Sequence, residues 1–396
     1  MDGKFYKQED FDKIVNRVGT DSIKWDGRQH VFGKADVIPL WVADMDFETP
    51  DFIRKRIARR LEHPILGYTF RGDEFSESFT GWVKRRHNWT VDPEWLTNMP
   101  GIVAAVSVAV LAYTQPDDEV IILPPVYHPF YFVVEGHGRK LILNNLIHAN
   151  GRFTFDLELL KNQITPKTRL LILSNPHNPG GTVWTPEELK GLVAVCKEHD
   201  ILIVSDEIHS DLIFSPNRHT PLLKIAGDYQ DHILLTMAPS KTFNLAALST
   251  SVVVIPDPEM RKQYEELVHT LHIGLGNIFG FEAMKAAYEE GDQWLDQLMI
   301  YLKGNRQYIE DFIKSELPQV EMMVPEATYM TWLDFRKLGM ESGELEKFMI
   351  HKAGLGLNNG AQFGPGGEGF MRLNFGCPRS LIEQAMKQLK MAVMTL

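Results

Sequence analysis

Apolar positions follow two different rhythms along this chain. From about residue 98, short and nearly unbroken apolar runs alternate with stretches of helical spacing. The runs at 119–123, 140–144, 169–174, 201–204 and 233–235 are too short for helices and end in turn-forming residues, so they read as strands. Between them, residues 102–113 form an Ala- and Val-rich buried helix after the break Asn98-Met99-Pro100-Gly101. Residues 186–199 form another, with Thr185 as N-cap and Pro186 in the first turn. Strands apolar on both sides, alternating with helices, predict a mostly parallel sheet covered on both faces. After about residue 285 the rhythm changes to amphipathic helices at 292–315 and 343–352, with strands at 329–335 and 370–375. The expected class is α/β, with a large domain at 46–285 and a smaller α+β domain at 286–396. Residues 1–45 are expected to pack with the small domain, and residues 37–43 to include a short strand.

The polar residues that interrupt this pattern matter most at strand ends, because ligands of open α/β sheets bind beyond the strands' carboxyl ends. Tyr127, Asn178, Asp206 and Lys241 all fall there, each after a different strand. A lysine taken at random belongs in an exposed loop. One desolvated at a strand end tends to lose its proton, and a neutral amine can form a Schiff base with a carbonyl. That convergence marks a candidate active site. Gly101, just before a helix, could leave backbone N–H groups free for an anion such as phosphate, though many helices begin after glycine. Asp44 and Asp46 could bind a cation, but capping the helix that begins near Pro50 is the commoner use. That helix is basic on its outer face. Tyr68 and Phe70, in a Gly67-led turn, belong by default to a core or an interface.

Composition narrows the function classes. At 396 residues, 44% apolar and 23% charged, the chain resembles an ordinary globular enzyme. A net charge of −11 and no basic run argue against nucleic acid. Two cysteines cannot build a disulfide framework, which points to a reducing compartment. The first fifteen residues show no secretory pattern, and the longest nearly apolar run, 102–114, is too short for a bilayer. A cytoplasmic protein with no membrane association is expected. Residues 364–369 match the dinucleotide pattern G-x-G-x-x-G, but a strand rather than a helix follows, so the match fails its structural test. His128, His177 and His209 fit no metal-ligand spacing, and no metal is expected. Ser240 lacks the context of a hydrolase nucleophile.

Two stretches carry a resemblance: Ser205-Asp206-Glu207-Ile208-His209 and Pro239-Ser240-Lys241-Thr242-Phe243-Asn244. With them the chain resembles the fold-type I pyridoxal-phosphate enzymes, and within these the cystathionine β-lyase branch of the class I/II aminotransferase family. Trp41 through Phe47, Asn175 through Gly181, and Arg372-Leu373-Asn374-Phe375-Gly376 fit the same branch. The resemblance implies that Lys241 bonds pyridoxal 5'-phosphate through a Schiff base, and that Asp206 keeps the pyridine nitrogen protonated. It implies that Tyr127 stacks on the ring, and that Asn178, with His209 nearby, bonds the ring's phenolic oxygen. Gly101, Ile102, Val103 and Ser240 would hold the phosphate, and Arg372 the α-carboxylate of a small amino-acid substrate. Tyr68 would reach the partner subunit's phosphate in a homodimer with shared active sites.

Two positions depart from the aminotransferase pattern. Ser249 stands where an arginine is common, and Ala238 where a serine is common, so backbone N–H groups must do more of the phosphate binding. The implied reaction is β-elimination from cystathionine or related cysteine S-conjugates, giving thiol, pyruvate and ammonia. The alternative is an aminotransferase, which shares every step up to the carbanion. A regulatory binding protein with vestigial lyase activity is a third reading, against which the presence of Lys241 and Asp206 argues.

Overall fold

Seven strands form the central sheet of the computed structural model, which describes residues 5–396; the first four positions of the N-terminal segment lie outside it. Their order across the sheet is Leu96–Met99, Ser251–Val254, Ile233–Met237, Leu202–Asp206, Thr168–Ser174, Glu119–Ile122 and Lys140–Leu143. The last five are mutually parallel, while Ser251–Val254 runs antiparallel to both its neighbours. Alternation along these strands accounts for their unbroken apolar runs. Ile121, Leu171, Leu173, Ile203 and Leu235 enter one core, whereas Val120, Ile122, Leu170, Ile172, Val204 and Leu234 enter the core on the opposite face. Each side chain so buried contributes about 1.5–3 kcal/mol, which fixes the register as well as the strand. In that register Ser174 stands opposite Asp206, and Asp206 opposite Thr236, so the strand ends reach one common edge.

Two strands of this sheet, Leu96–Met99 and Ser251–Val254, were not apparent from pattern. The break expected at residues 98–101 begins later, because Asn98 and Met99 belong to the strand Leu96–Met99. Its four residues, Leu96-Thr97-Asn98-Met99, place two polar positions between two apolar ones and so show no strand alternation; the strand is held by its antiparallel partner Ser251–Val254. The helix Ile102–Tyr113 follows at once and packs within the second core, where the Tyr264 hydroxyl donates to the Ala105 carbonyl at 3.0 Å. The helix Pro186–Glu198 starts as expected, with Thr185 and Glu188 closing a reciprocal capping box.

A second sheet, fully antiparallel, orders Glu321–Met323, Met330–Asp334, Phe370–Asn374 and Asn358–Asn359. Arg372 lies at its centre, between Trp332 and Asn358 in register. The long helix Asp292–Glu316 forms as expected, whereas the helix expected at 343–352 is Ser342–Phe348 followed by a π-helical turn, Met349–Ala353. Only Ile38–Pro39 of the expected strand at 37–43 pairs, in parallel with Leu355–Gly356. Beyond it the backbone acceptors turn to side chains. Trp41, Val42, Ala43 and Asp44 offer their carbonyls to Arg372, Asn374, Lys241 and Lys24, which leaves them no ladder to join.

The acids at 44 and 46 do not cap the helix Asp51–Leu61, whose N-cap Pro50 has no side-chain cap bond. They bind cations supplied by the chain itself. Arg17 forks onto both oxygens of Asp44 at 3.0 and 2.6 Å and reaches Asp46 at 2.8 Å. Lys24, with no exposed surface, donates to Asp46 at 2.7 Å. Burial works to raise the Asp46 carboxyl, but Lys24, Trp25 and Arg17 outweigh it and hold the group below the usual carboxylate range.

Candidate active site

A cavity of about 420 Å³ opens at the carboxyl edge of the large sheet. Gly101, Ile102, Val103, Tyr127, Asn178, Asp206, His209, Ser240 and Lys241, all expected there, line it. Ser249, noted as replacing a common arginine, lines it as well, and so do Ala43, Ser174 and Thr250, which had not been singled out as site residues. Ser174 was findable from its place at a strand end. Ala43 was not, since it contributes a backbone carbonyl.

Each side chain is set by a short turn leaving a strand. The Tyr127 N–H donates to the Asn178 carbonyl at 3.1 Å, tying two of these turns together. Ser174 shapes the second, its hydroxyl accepting the Asn178 N–H at 3.2 Å. After Ile233–Met237, the chain coils so that Phe243 N–H reaches the Pro239 carbonyl and Leu245 N–H the Ser240 carbonyl, at 2.9 and 3.0 Å. Thr242 anchors that coil by donating to the buried Asp211 carboxylate at 2.9 Å. Lys241 therefore points into the cavity, and its amine donates to the Ala43 carbonyl at 2.7 Å.

Charge inside the cavity is finely opposed. Burial, and after it the field of Arg372, lowers the Lys241 amine to about 8, while Asp44 and Asp206 pull the other way. Burial raises the Asp206 carboxyl to about 7, against the bond it accepts from the Ile208 N–H at 3.1 Å and the field of Lys241. Burial also pushes His209 well below its usual value, aided by Lys241 and Arg372. Its Nδ1 is buried without a hydrogen-bond partner.

Arg372 does not line the cavity itself. It sits behind Asn178, donating to that side chain at 3.0 Å, to Asn358 at 2.7 Å and to the Trp41 carbonyl at 2.9 Å, over the Phe363 ring. Asn178 thus spends its oxygen on Arg372 and keeps its NH2 as a donor. Tyr68 lies outside the cavity altogether, 95% exposed, and Phe70 is 91% exposed, so neither belongs to a core of this chain.

These residues fit pyridoxal phosphate. Asp206 is a buried acid with no strong cationic partner, suited to a protonated ring nitrogen. The helix Ile102–Tyr113 has no side-chain cap at Gly101, and its first-turn N–H groups, unpaired within the helix, stand at the cavity beside Ser240. A partly deprotonated amine, Lys241, is available for a carbonyl, and the orphaned His209 nitrogen for a polar oxygen.

Fold and site together define a class. The sequence model for aminotransferase class I and II matches residues 35–389, and the chain belongs to that family. Among its relatives, cystathionine beta-lyase PatB of Bacillus subtilis is 43% identical over 384 residues, covering 97% of this chain and 99% of the relative. The structure of cystalysin from Treponema denticola, which contains pyridoxal 5'-phosphate, superposes with a TM-score of 0.95 at 33% identity, covering 98% of this chain and 99% of that one. The PLP-bound C–S lyase from Staphylococcus hominis gives 0.91 at 36% identity, covering 96% and 97%.

Proposed function

We propose that this protein is a pyridoxal-phosphate-dependent carbon–sulfur β-lyase acting on cystathionine or related cysteine S-conjugates. The observation that carries the reading is the buried, pKa-lowered amine of Lys241 opposite Asp206 in one cavity, in a chain similar over nearly its whole length to a named cystathionine β-lyase. Lys241, Asp206, Tyr127, Asn178, His209, Ser240 and the backbone at Gly101, Ile102 and Val103 would hold the cofactor. Bound there, it supplies an electron sink for negative charge at the substrate's Cα.

The chain's own groups do the rest. Arg372 binds the substrate α-carboxylate with its guanidinium fork. Lys241, neutral once displaced by the substrate's amine, removes the Cα proton. Asp206, carrying its negative charge against the ring nitrogen, favours the charge distribution that makes this removal possible. The β-thioether sulfur then leaves as thiolate, and addition of water yields pyruvate and ammonia. With neutral donors at Ser249 and Thr250, the phosphate is held by N–H and hydroxyl groups rather than by a guanidinium within this cavity. Two copies are further proposed to pair, with Ile65, Leu66, Tyr68 and Phe70, all exposed in the single chain, covered by the partner.

The deciding assay is the fate of the carbanion. Cystathionine alone should give pyruvate, ammonia and free thiol in equal amounts, without any added 2-oxo acid. Alanine with 2-oxoglutarate should give little glutamate. Rapid glutamate formation with no thiol released would replace the lyase by an aminotransferase.

A further inference from the structure

The segment Trp41 through Phe47 touches the site from one side, and the ion pairs that hold it lie on the other. Its carbonyls receive Arg372 at Trp41 and Lys241 at Ala43, where the Tyr329 hydroxyl also donates at 2.8 Å. Asn244 grips it from the large sheet's side through Met45 N–H and the Met45 and Phe47 carbonyls, and Asn374 through the carbonyls of Val42 and Asp44. Four charges of balanced sign lock it from outside: Arg17 and Lys24 against Asp44 and Asp46. Trp25 adds a ring N–H to Asp46 at 2.8 Å. Among these four charges none belongs to the site, and only Asp44 acts on the Lys241 amine through its field.

We propose that Arg17 and Asp44 are positioning residues for Lys241: the guanidinium neutralises and aims the Asp44 carboxylate, and so fixes the Ala43 carbonyl that holds the amine. This rests on the reading that Lys241 is the cofactor-binding lysine. The geometry makes the device reciprocal. A fork onto both Asp44 oxygens allows the carboxylate one orientation, and a third bond from Arg17 to the Met45 carbonyl at 3.2 Å fixes the backbone two residues beyond Ala43. Removing Arg17 leaves Lys24 as the one cation against Asp44 and Asp46, a net negative charge beside the carbonyl that Lys241 uses. Removing the Asp44 charge leaves Lys241 under Arg372 with Asp206 as its remaining acid. The other groups facing the amine do not change in either case: Arg372 from the second sheet, Asp206 and His209 after the strand Leu202–Asp206, Tyr127 across the cavity, and Tyr329 through Ala43.

The two perturbations therefore act in opposite directions on one nitrogen, which no loss of structural support would do. The test is a pH titration of the visible absorbance of holoenzyme, which follows the Lys241 nitrogen, paired with the acid limb of kcat. Arg17→Gln should raise the midpoint by about half a unit, roughly threefold in the ionisation constant. Asp44→Asn should lower it by a similar amount, and Arg17→Lys, which keeps the charge, should stay near wild type. Should Asp44→Asn not fold, the contrast between Arg17→Gln and Arg17→Lys decides alone. Folded variants with the wild-type midpoint, or shifts of the same sign, overturn the proposal. Borohydride labelling of the wild type separates this from an error about the site. Label on Lys241 with unmoved midpoints refutes the positioning role alone, whereas label on another lysine refutes both.

Discussion

Burying the Lys241 amine has a cost that the cofactor-free protein must show as a dependence of stability on pH. Its ordinary value of 10.5 falls to about 8 in the fold, chiefly by burial and then by the field of Arg372. Unfolded, the amine keeps its proton up to its ordinary value; folded, it gives it up already at about 8. Between the two the unfolded chain binds more protons, so stability rises with pH across that window. Below the window the folded state carries the full penalty, and above it none. The difference corresponds to about 3 kcal/mol, a ceiling because the amine opens onto a cavity that water can enter.

The perturbation is Lys241→Met, which keeps the stem and deletes the titrating group. Urea unfolding of both cofactor-free proteins, followed by tryptophan fluorescence at a series of pH values, supplies the difference curve. Cys196, pushed up to about 12 by burial, titrates in the same region in both proteins and cancels. Relative to the variant, the wild type should gain up to about 3 kcal/mol between about pH 8 and about 10.5. A difference curve flat across that window would show that the amine is not desolvated, and would remove the physical ground for its role as a base.

Arg372→Ala should weaken cystathionine binding by about 1.5–3 kcal/mol, roughly 10- to 150-fold in KM, as expected for a lost charge-assisted bond to carboxylate. An amine lacking the carboxylate should be affected far less, and an equal effect on both would take Arg372 out of substrate recognition. For the shared site, mixing Tyr68→Ala and Lys241→Ala chains should restore activity, because a mixed dimer holds one intact site. Mixed dimers that are verified by mass and remain inactive would place both residues in a site made by a single chain.

What was legible in the sequence follows from what burial does to a pattern. The parallel strands announce themselves because both of their faces are covered, so Leu171 and Ile172 are equally constrained although they enter different cores. Asp206 and Lys241 were legible because a polar residue that ends such a run needs a reason to be there. The strand Leu96–Met99 was not, since its stability comes from a partner more than 150 positions away, the Ser251 hydroxyl bonding Met99 O at a separation of 152 residues. Backbone acceptors leave no trace in composition at all, which is why Ala43 escaped notice. The partners of Asp44 and Asp46 were hidden for another reason. Arg17 and Lys24 lie 27 and 22 residues earlier, and local pattern cannot choose between a cap and an ion pair closed by tertiary structure.

The same segment ties the proposed carboxylate binder, Arg372, to the proposed base, Lys241. Arg372 belongs to the small antiparallel sheet and Lys241 to a turn of the large one, so no regular element fixes one against the other. Trp41 and Ala43 do, because their carbonyls, two residues apart, take one bond from each. A displacement of this segment therefore moves Arg372 and Lys241 together. On the proposed roles of Arg372 and Lys241, a substrate clamped by its carboxylate would present its Cα proton to Lys241 only while that segment is in place. Lys241 is thus located by its own strand, but held by a stretch nearly two hundred residues earlier, its bond to Ala43 spanning 198 positions.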